Sequence, residues 1–131
     1  MGLIYLDTCL LIYLTESHPQ WKTRVASAIA GAPAATFCLS PLTKCECLVG
    51  PMKSGDTGLQ MRYEALFQEF STLEMREPVF LAAAALRARF GLKTPDALHL
   101  ACAQYHGCYA LWTNDERLTQ AGHGLTRNIL E

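Results

Sequence analysis

Thr94-Pro95-Asp96-Ala97-Leu98-His99-Leu100-Ala101-Cys102-Ala103-Gln104-Tyr105, followed shortly by Tyr109-Ala110-Leu111-Trp112-Thr113-Asn114-Asp115, is the stretch on which the fold turns. Leu98, Ala101, Cys102 and Tyr105 recur at i, i+3, i+4 and i+7, the spacing of one helical face. Thr94-Pro95 opens that helix, since proline is tolerated where no intrahelical N–H is needed. Residues 109–112 then read as a short buried strand that stops at a polar, acid-bearing turn. A helix feeding a buried strand is one unit of an α/β protein.

The pattern repeats outward from there. Leu3-Ile4-Tyr5-Leu6 is an apolar run that stops at Asp7, and a short helix through Leu10, Leu11 and Leu14 follows. Trp21, Val25 and Ile29 form a helical stripe ended by Gly31 and Pro33. Thr36-Phe37-Cys38-Leu39 reads as the second strand. Ser40 and Pro41 then supply an N-cap and a first-turn proline for a helix that carries Glu46 and is expected to end near Gly50-Pro51. Residues 52–58 read as a loop. Leu59, Tyr63, Leu66, Phe67 and Phe70 share a helical face. Thr72-Leu73-Glu74-Met75 is a weak third strand. A helix with Pro78 near its start runs to Gly91, and Leu125-Thr126-Arg127 is a candidate edge strand.

Strands alternating with helices imply a mostly parallel sheet covered on both faces. With right-handed crossovers, the expectation is a Rossmann-like three-layer α/β sandwich of four or five strands, in the order 3-2-1-4-5. The length of 131 residues suits one domain over 1–131. Half the residues are hydrophobic and 18% charged, enough for a core with some apolar surface left for a partner.

The formal net charge of −1 offers no basic excess of the kind a passive phosphate binder carries. A protein that recruits divalent cations is partly exempt. The six cysteines sit mostly in apolar contexts, as reduced buried thiols do, and the first residues lack a signal peptide's basic region. A cytoplasmic location is therefore expected. No apolar run reaches membrane-spanning length, so no membrane association is expected either.

In open α/β sheets the ligand crevice lies beyond the carboxyl ends of the strands, where the winding reverses. Asp7 directly follows strand one, and Asp115 follows strand four, its neighbour in that order. Asp96 lies in the first turn of the helix feeding strand four. Glu46 lies about two turns into the helix after strand two. Converging acids repel one another unless a cation sits among them, and all-oxygen donors suit Mg²⁺ or Mn²⁺. Phosphodiester hydrolysis is the chemistry such a cluster serves. Taken singly, each acid has a plainer role: aspartates cap helices, and a helix glutamate is often only solvated. Lys93 and Arg117, near Asp96 and Asp115 in the chain, are candidates to touch phosphate. His99, one turn after Asp96, is placed where it could border the crevice, with a structural role the favoured reading. Cys45 and Cys47, at i and i+2, point to different helix faces and make a poor zinc pair. No glycine-rich phosphate loop is present.

Leu6-Asp7-Thr8, the helix glutamate Glu46, the run Thr94–Ala101 and Thr113-Asn114-Asp115 together resemble PIN domains. The likeness is to the VapC-type ribonuclease toxins of bacterial toxin–antitoxin pairs, and it spans essentially the whole chain. It implies RNA as substrate and Mg²⁺ or Mn²⁺ as cofactor. Asp7 and Asp96 would be the principal metal ligands, with Asp115 completing the site and Glu46 binding metal or positioning the attacking water. Thr8, Thr113 and Asn114 would support these acids. A homodimer and a cognate antitoxin are also implied. Two other readings stay open: a phosphotransfer enzyme or phospho-receiver, though position 9 is Cys rather than a second Asp, and a non-catalytic PIN-like interaction module.

Overall fold

The computed structural model describes residues 2–130. Five parallel strands form one sheet in the order β3-β2-β1-β4-β5. The strands are β1 (Leu3–Leu6), β2 (Thr36–Leu39), β3 (Ser71–Thr72), β4 (Ala110–Thr113) and β5 (Thr126–Asn128). The helices are α1 (Thr8–Thr15), α2 (Lys22–Ala30), α3 (Pro41–Ser54), α4 (Thr57–Phe67), α5 (Glu77–Phe90), α6 (Thr94–Tyr105) and α7 (Glu116–Ala121). Strand order and three-layer architecture are those expected from the sequence.

β1 is the central strand, paired to β2 through Leu3↔Thr36 and to β4 through Leu6↔Trp112. Because successive side chains on a strand point to opposite faces, β1 feeds two cores. Tyr5, with Cys38 and Leu111, packs under α5 and α6 against Val79, Ala83, Ala97, Leu100 and Ala101. Ile4 and Leu6, with Leu39, Ala110 and Trp112, pack under α1 to α4 against Leu10, Leu11, Val25, Cys47, Tyr63 and Phe67. Each fully buried leucine here contributes roughly 1.5–3 kcal/mol by leaving water.

One helix boundary differs from the sequence expectation, and three strands are shifted or shortened. α3 does not stop at Gly50-Pro51: it passes through Pro51 to Ser54 and ends at Gly55, whose φ of 73° is left-handed. Proline removes one helical hydrogen bond, but the glycine is the true stop, since the left-handed conformation there costs it no Cβ clash. Asp56 then caps α4, its side chain accepting from Leu59 N at 3.0 Å, so the expected loop shrinks to Gly55-Asp56. β3 is only Ser71–Thr72, although Leu73 N still donates to Leu39 O at 2.8 Å. β4 and β5 each lie one residue further along the chain than expected.

Gly122 closes α7 where a Cβ would stand 2.4 Å from Thr126 Cγ2. The Thr126 hydroxyl lies 3.1 Å from Leu118 O and 3.0 Å from Thr119 O, tying β5 to the end of α7. Among the described residues no helix is long and apolar enough to cross a membrane. Val49, Met52, Met61, Phe80, Leu81, Tyr105 and Tyr109 stay exposed, the leftover apolar surface that the composition suggested.

Candidate active site

The carboxyl ends of β1 and β4 deliver two acids side by side. Asp7 follows Leu6, its backbone N–H donating to Trp112 O at 2.9 Å, and its side chain caps α1 by accepting from Thr8 N at 2.8 Å. Oδ2 of Asp7 accepts from Thr113 Oγ1 at 2.7 Å. The same hydroxyl accepts from Asp115 N at 2.9 Å. Asp115 in turn caps α7, its Oδ1 accepting from Arg117 N at 2.8 Å. Thr113, fully buried at the end of β4, thus links both aspartates.

α3 and α6 bring the other two acids over this end of the sheet. Glu46 Oε1 accepts from Thr8 Oγ1 and lies 2.6 Å from both that hydroxyl and His99 Nε2. His99 Nε2 is 3.9 Å from Asp7 Oδ1. Asp96 lies in the first turn of α6, where Lys93 rather than an aspartate occupies the cap position. So capping describes Asp7 and Asp115, and it does not describe Asp96.

Asp7, Thr8, Glu46, Asp96, Asn114 and Asp115 line one open hollow of about 440 Å³, together with Cys9, Tyr13, His99 and Glu116. Thr113 supports this wall from behind. Asn114 Nδ2 donates to Tyr13 OH at 3.2 Å. Tyr13 and Glu116 carry no site signal in the sequence, whereas His99, favoured there as structural, does border the hollow as its position allowed. The i, i+3 spacing of Asp96 and His99 was the available signal, because it puts both on one face of α6. Lys93 and Arg117 are exposed and do not line this hollow; Arg117 borders a separate one with Phe90, Gly91, Leu92 and Gln120. A larger hollow of about 610 Å³, lined by Leu14, Ile29, Phe37, Leu66 and Phe70, is mostly apolar and holds only one acid, Glu69.

The electrostatics single out Asp96. Burial, then the facing carboxylates of Asp115 and Asp7, hold its carboxyl above the ordinary aspartate range. No described residue donates a hydrogen bond to it. Glu46 is the opposite case. Burial works against its charge, but hydrogen bonds from His99 and Thr8 outweigh that and hold it below the usual range. Burial beside Asp7 pushes the Cys9 thiol up to about 12, so it is no nucleophile. Cys45 is exposed and Cys47 buried, on separate faces of α3, and all six cysteines are free.

Among the described residues, no three or more His, Cys, Asp or Glu side chains stand close enough to form a ready-made ion cage. The donor set still suits a hard cation. It is all oxygen, it opens to solvent, and one member, Asp96, takes no hydrogen bond from a described residue. Mg²⁺ keeps several waters and needs only one or two direct carboxylates, so spaced acids accommodate a partly hydrated ion.

A family model, that of the PIN domain, matches residues 4–124. Among solved structures, a toxin–antitoxin complex from Klebsiella pneumoniae is similar with a TM-score of 0.80 and 25% identity, covering 96% of this chain and 97% of that one. VapBC2 from Rickettsia felis, bound to a DNA fragment from its promoter, has a TM-score of 0.82 at 15% identity, over 96% of this chain and 98% of that one. VapC20 of Mycobacterium tuberculosis, a sarcin–ricin loop cleaving toxin, has a TM-score of 0.78 at 14% identity, over 91% and 95%. The last two likenesses speak to the fold alone. A comparison with curated proteins gives no match.

Proposed function

Because this chain belongs to the PIN-domain family, we propose that it is a metal-dependent ribonuclease and the toxin of a toxin–antitoxin pair. The observation that carries the reading is Asp96: a half-buried carboxylate facing two others, with no hydrogen-bond donor from a described residue. A fold has little reason to hold such a group unless a cation offsets it.

In this reading Asp7, Asp96 and Asp115 hold Mg²⁺ or Mn²⁺, with Glu46 as a further ligand or as the group that orients water. Bound there, the ion supplies positive charge against the phosphate and makes nearby water more acidic. Asp7 and Asp115 are fixed by Thr113 and by the helix ends they cap, so both are pre-oriented. Glu46, kept ionised by its two donors, accepts a hydrogen bond from the attacking water. Water oxygen adds to phosphorus as the bond to the leaving oxygen breaks. The water gives up one proton to solvent and the leaving oxygen takes one from solvent, leaving a phosphate on one fragment and a hydroxyl on the other. Lys93 and Arg117 lie outside the acid hollow and would meet phosphates further along the strand.

The partners follow from the relatives. The Klebsiella protein is solved as a toxin–antitoxin complex and the Rickettsia one as VapBC2 on DNA. A cognate antitoxin and a homodimer fit the exposed apolar side chains of α3, α4 and α5. Family membership disfavours the phosphotransfer alternative. The presence of all four acids disfavours a non-catalytic module.

The test is cleavage of RNA with Mg²⁺, Mn²⁺ or EDTA by the native chain, Asp7→Asn and Asp96→Asn. Expected is cleavage that needs the metal and falls at least 100-fold in each variant. Cleavage that survives chelation or either substitution would remove the mechanism.

A further inference from the structure

His99 is buried at 1% exposure, and both of its ring nitrogens are engaged. Nε2 lies 2.6 Å from Glu46 Oε1 and 3.3 Å from Thr8 Oγ1. Nδ1 lies 2.6 Å from the Tyr5 hydroxyl. That hydroxyl is 2.7 Å from Ser40 Oγ and 3.4 Å from Thr43 Oγ1. The two rings meet edge to face, 5.5 Å between centroids. Ser40 is the N-cap of α3, the helix that carries Glu46. The chain of bonds therefore starts at the root of α3, crosses β1 and α6, and returns to α3 at Glu46.

Counting protons assigns the direction of each bond. A carboxylate oxygen only accepts, and two donors meet Oε1 at 2.6 Å: Thr8 with its single hydroxyl proton and His99 with the proton on Nε2. Burial holds Tyr5 well above the ordinary tyrosine range, so it keeps its hydroxyl hydrogen. With the Nε2 proton given to Glu46, Nδ1 is the accepting nitrogen of the ring, so the Tyr5 hydroxyl donates to it and in turn accepts from Ser40 Oγ. Both donors fall on the same glutamate oxygen, and no described residue donates to Oε2.

We infer that His99 is a positioning residue for Glu46: its Nε2–H, set in place by the Tyr5 hydroxyl on Nδ1, pins Glu46 through Oε1 and leaves Oε2 as the oxygen that acts. This rests on the nuclease reading for its purpose and on the hydrogen-bond geometry for its existence. A glutamate has a long, mobile side chain, and a carboxylate held by one oxygen offers the other in a single direction. Outer partners of this sort typically matter 10- to 100-fold in metal affinity or activity. Because Asp96 sits one turn before His99 on α6, the same contact also sets α6 against α3.

The variants are His99→Phe, which keeps a ring but loses the donor, His99→Gln, whose amide N–H reaches near the place of Nε2, and Tyr5→Phe. Three readouts separate positioning from simple packing, with folding checked by circular dichroism. First, ¹⁵N–¹H correlation of the His99 ring in the native protein is expected to find Nε2 protonated; a bare Nε2 overturns the inference. Second, Mn²⁺ titration is expected to weaken about 10-fold in His99→Phe and to recover in His99→Gln. Third, kcat on RNA should fall about 10- to 100-fold in His99→Phe with KM unchanged, and partly recover in His99→Gln. Equal losses in the Phe and Gln variants would make His99 merely structural. If His99→Phe fails to fold, Tyr5→Phe carries the test, with a several-fold loss of Mn²⁺ affinity expected and an unchanged affinity counting against it. Absence of RNA cleavage by the native chain would instead sink the nuclease reading, since neither the ring spectrum nor the Mn²⁺ titration uses RNA.

Discussion

Thr113 donates its one hydroxyl proton to Asp7 at 2.7 Å and accepts the backbone N–H of Asp115 at 2.9 Å, so one buried oxygen sets two acids. Thr113→Val keeps the shape and removes both bonds. It leaves an Asp7 oxygen and the Asp115 N–H short of a partner, which is expected to cost about 1–3 kcal/mol. Urea unfolding of the metal-free protein measures this. An unchanged midpoint would mean that water replaces the hydroxyl without loss.

Asp96 is expected to destabilise the metal-free protein at neutral pH. Its folded carboxyl is raised above the ordinary value of 3.8. The folded state therefore holds that proton more tightly than the unfolded chain does. Its contribution is fully present below 3.8 and is lost as pH rises through the raised folded value. Asp96→Asn should flatten this part of the pH–stability curve and raise the neutral-pH midpoint. Mn²⁺ should raise the midpoint of the native chain and much less that of the variant. A variant less stable than the native protein without metal would refute the repulsion argument.

Gly122→Ala tests the junction of α7 and β5. The added Cβ would meet three Thr126 side-chain atoms at 2.4–2.9 Å. The threonine hydroxyl is bonded to the end of α7, so it cannot swing aside freely. The expected loss is about 1–3 kcal/mol, measured by thermal or urea unfolding. Partial recovery in Gly122→Ala combined with Thr126→Ser, which lacks the methyl, would assign the loss to this contact.

Lys93→Ala with Arg117→Ala should weaken RNA binding without abolishing cleavage. If each residue meets one phosphate, the dependence of log affinity on log salt should flatten by about 0.7 per lost contact. An unchanged slope would take both residues off the RNA path.

How far the sequence could be read depended on whether the deciding interactions were local. Leu3–Leu6 ending at Asp7, and Ser40-Pro41 opening α3, carry their own start and stop signals, so strand order and the placement of the acids followed. Pro51 misled because proline is a strong local breaker, whereas the helix around it is held by burial of Cys47 and Pro51 itself. β3 is short because its remaining residues pair only once with β2, which no local pattern reveals. The partner of His99 was the larger gap. The contact of His99 with Glu46 joins residues 53 apart in the chain, and a buried histidine in an apolar helix looks like core until its partners are known.

Asp7 and Asp115 are joints of the frame as well as parts of the hollow, since each holds the first turn of a helix. Replacing either by alanine would loosen a helix by about 0.5–2 kcal/mol and remove a charge at once, confounding two effects. Asparagine keeps the joint and discards only the charge. A descendant of this protein drifting toward inactivity would thus be steered at those two places to asparagine, serine or threonine, and would go on looking like its working ancestors long after it had stopped cutting.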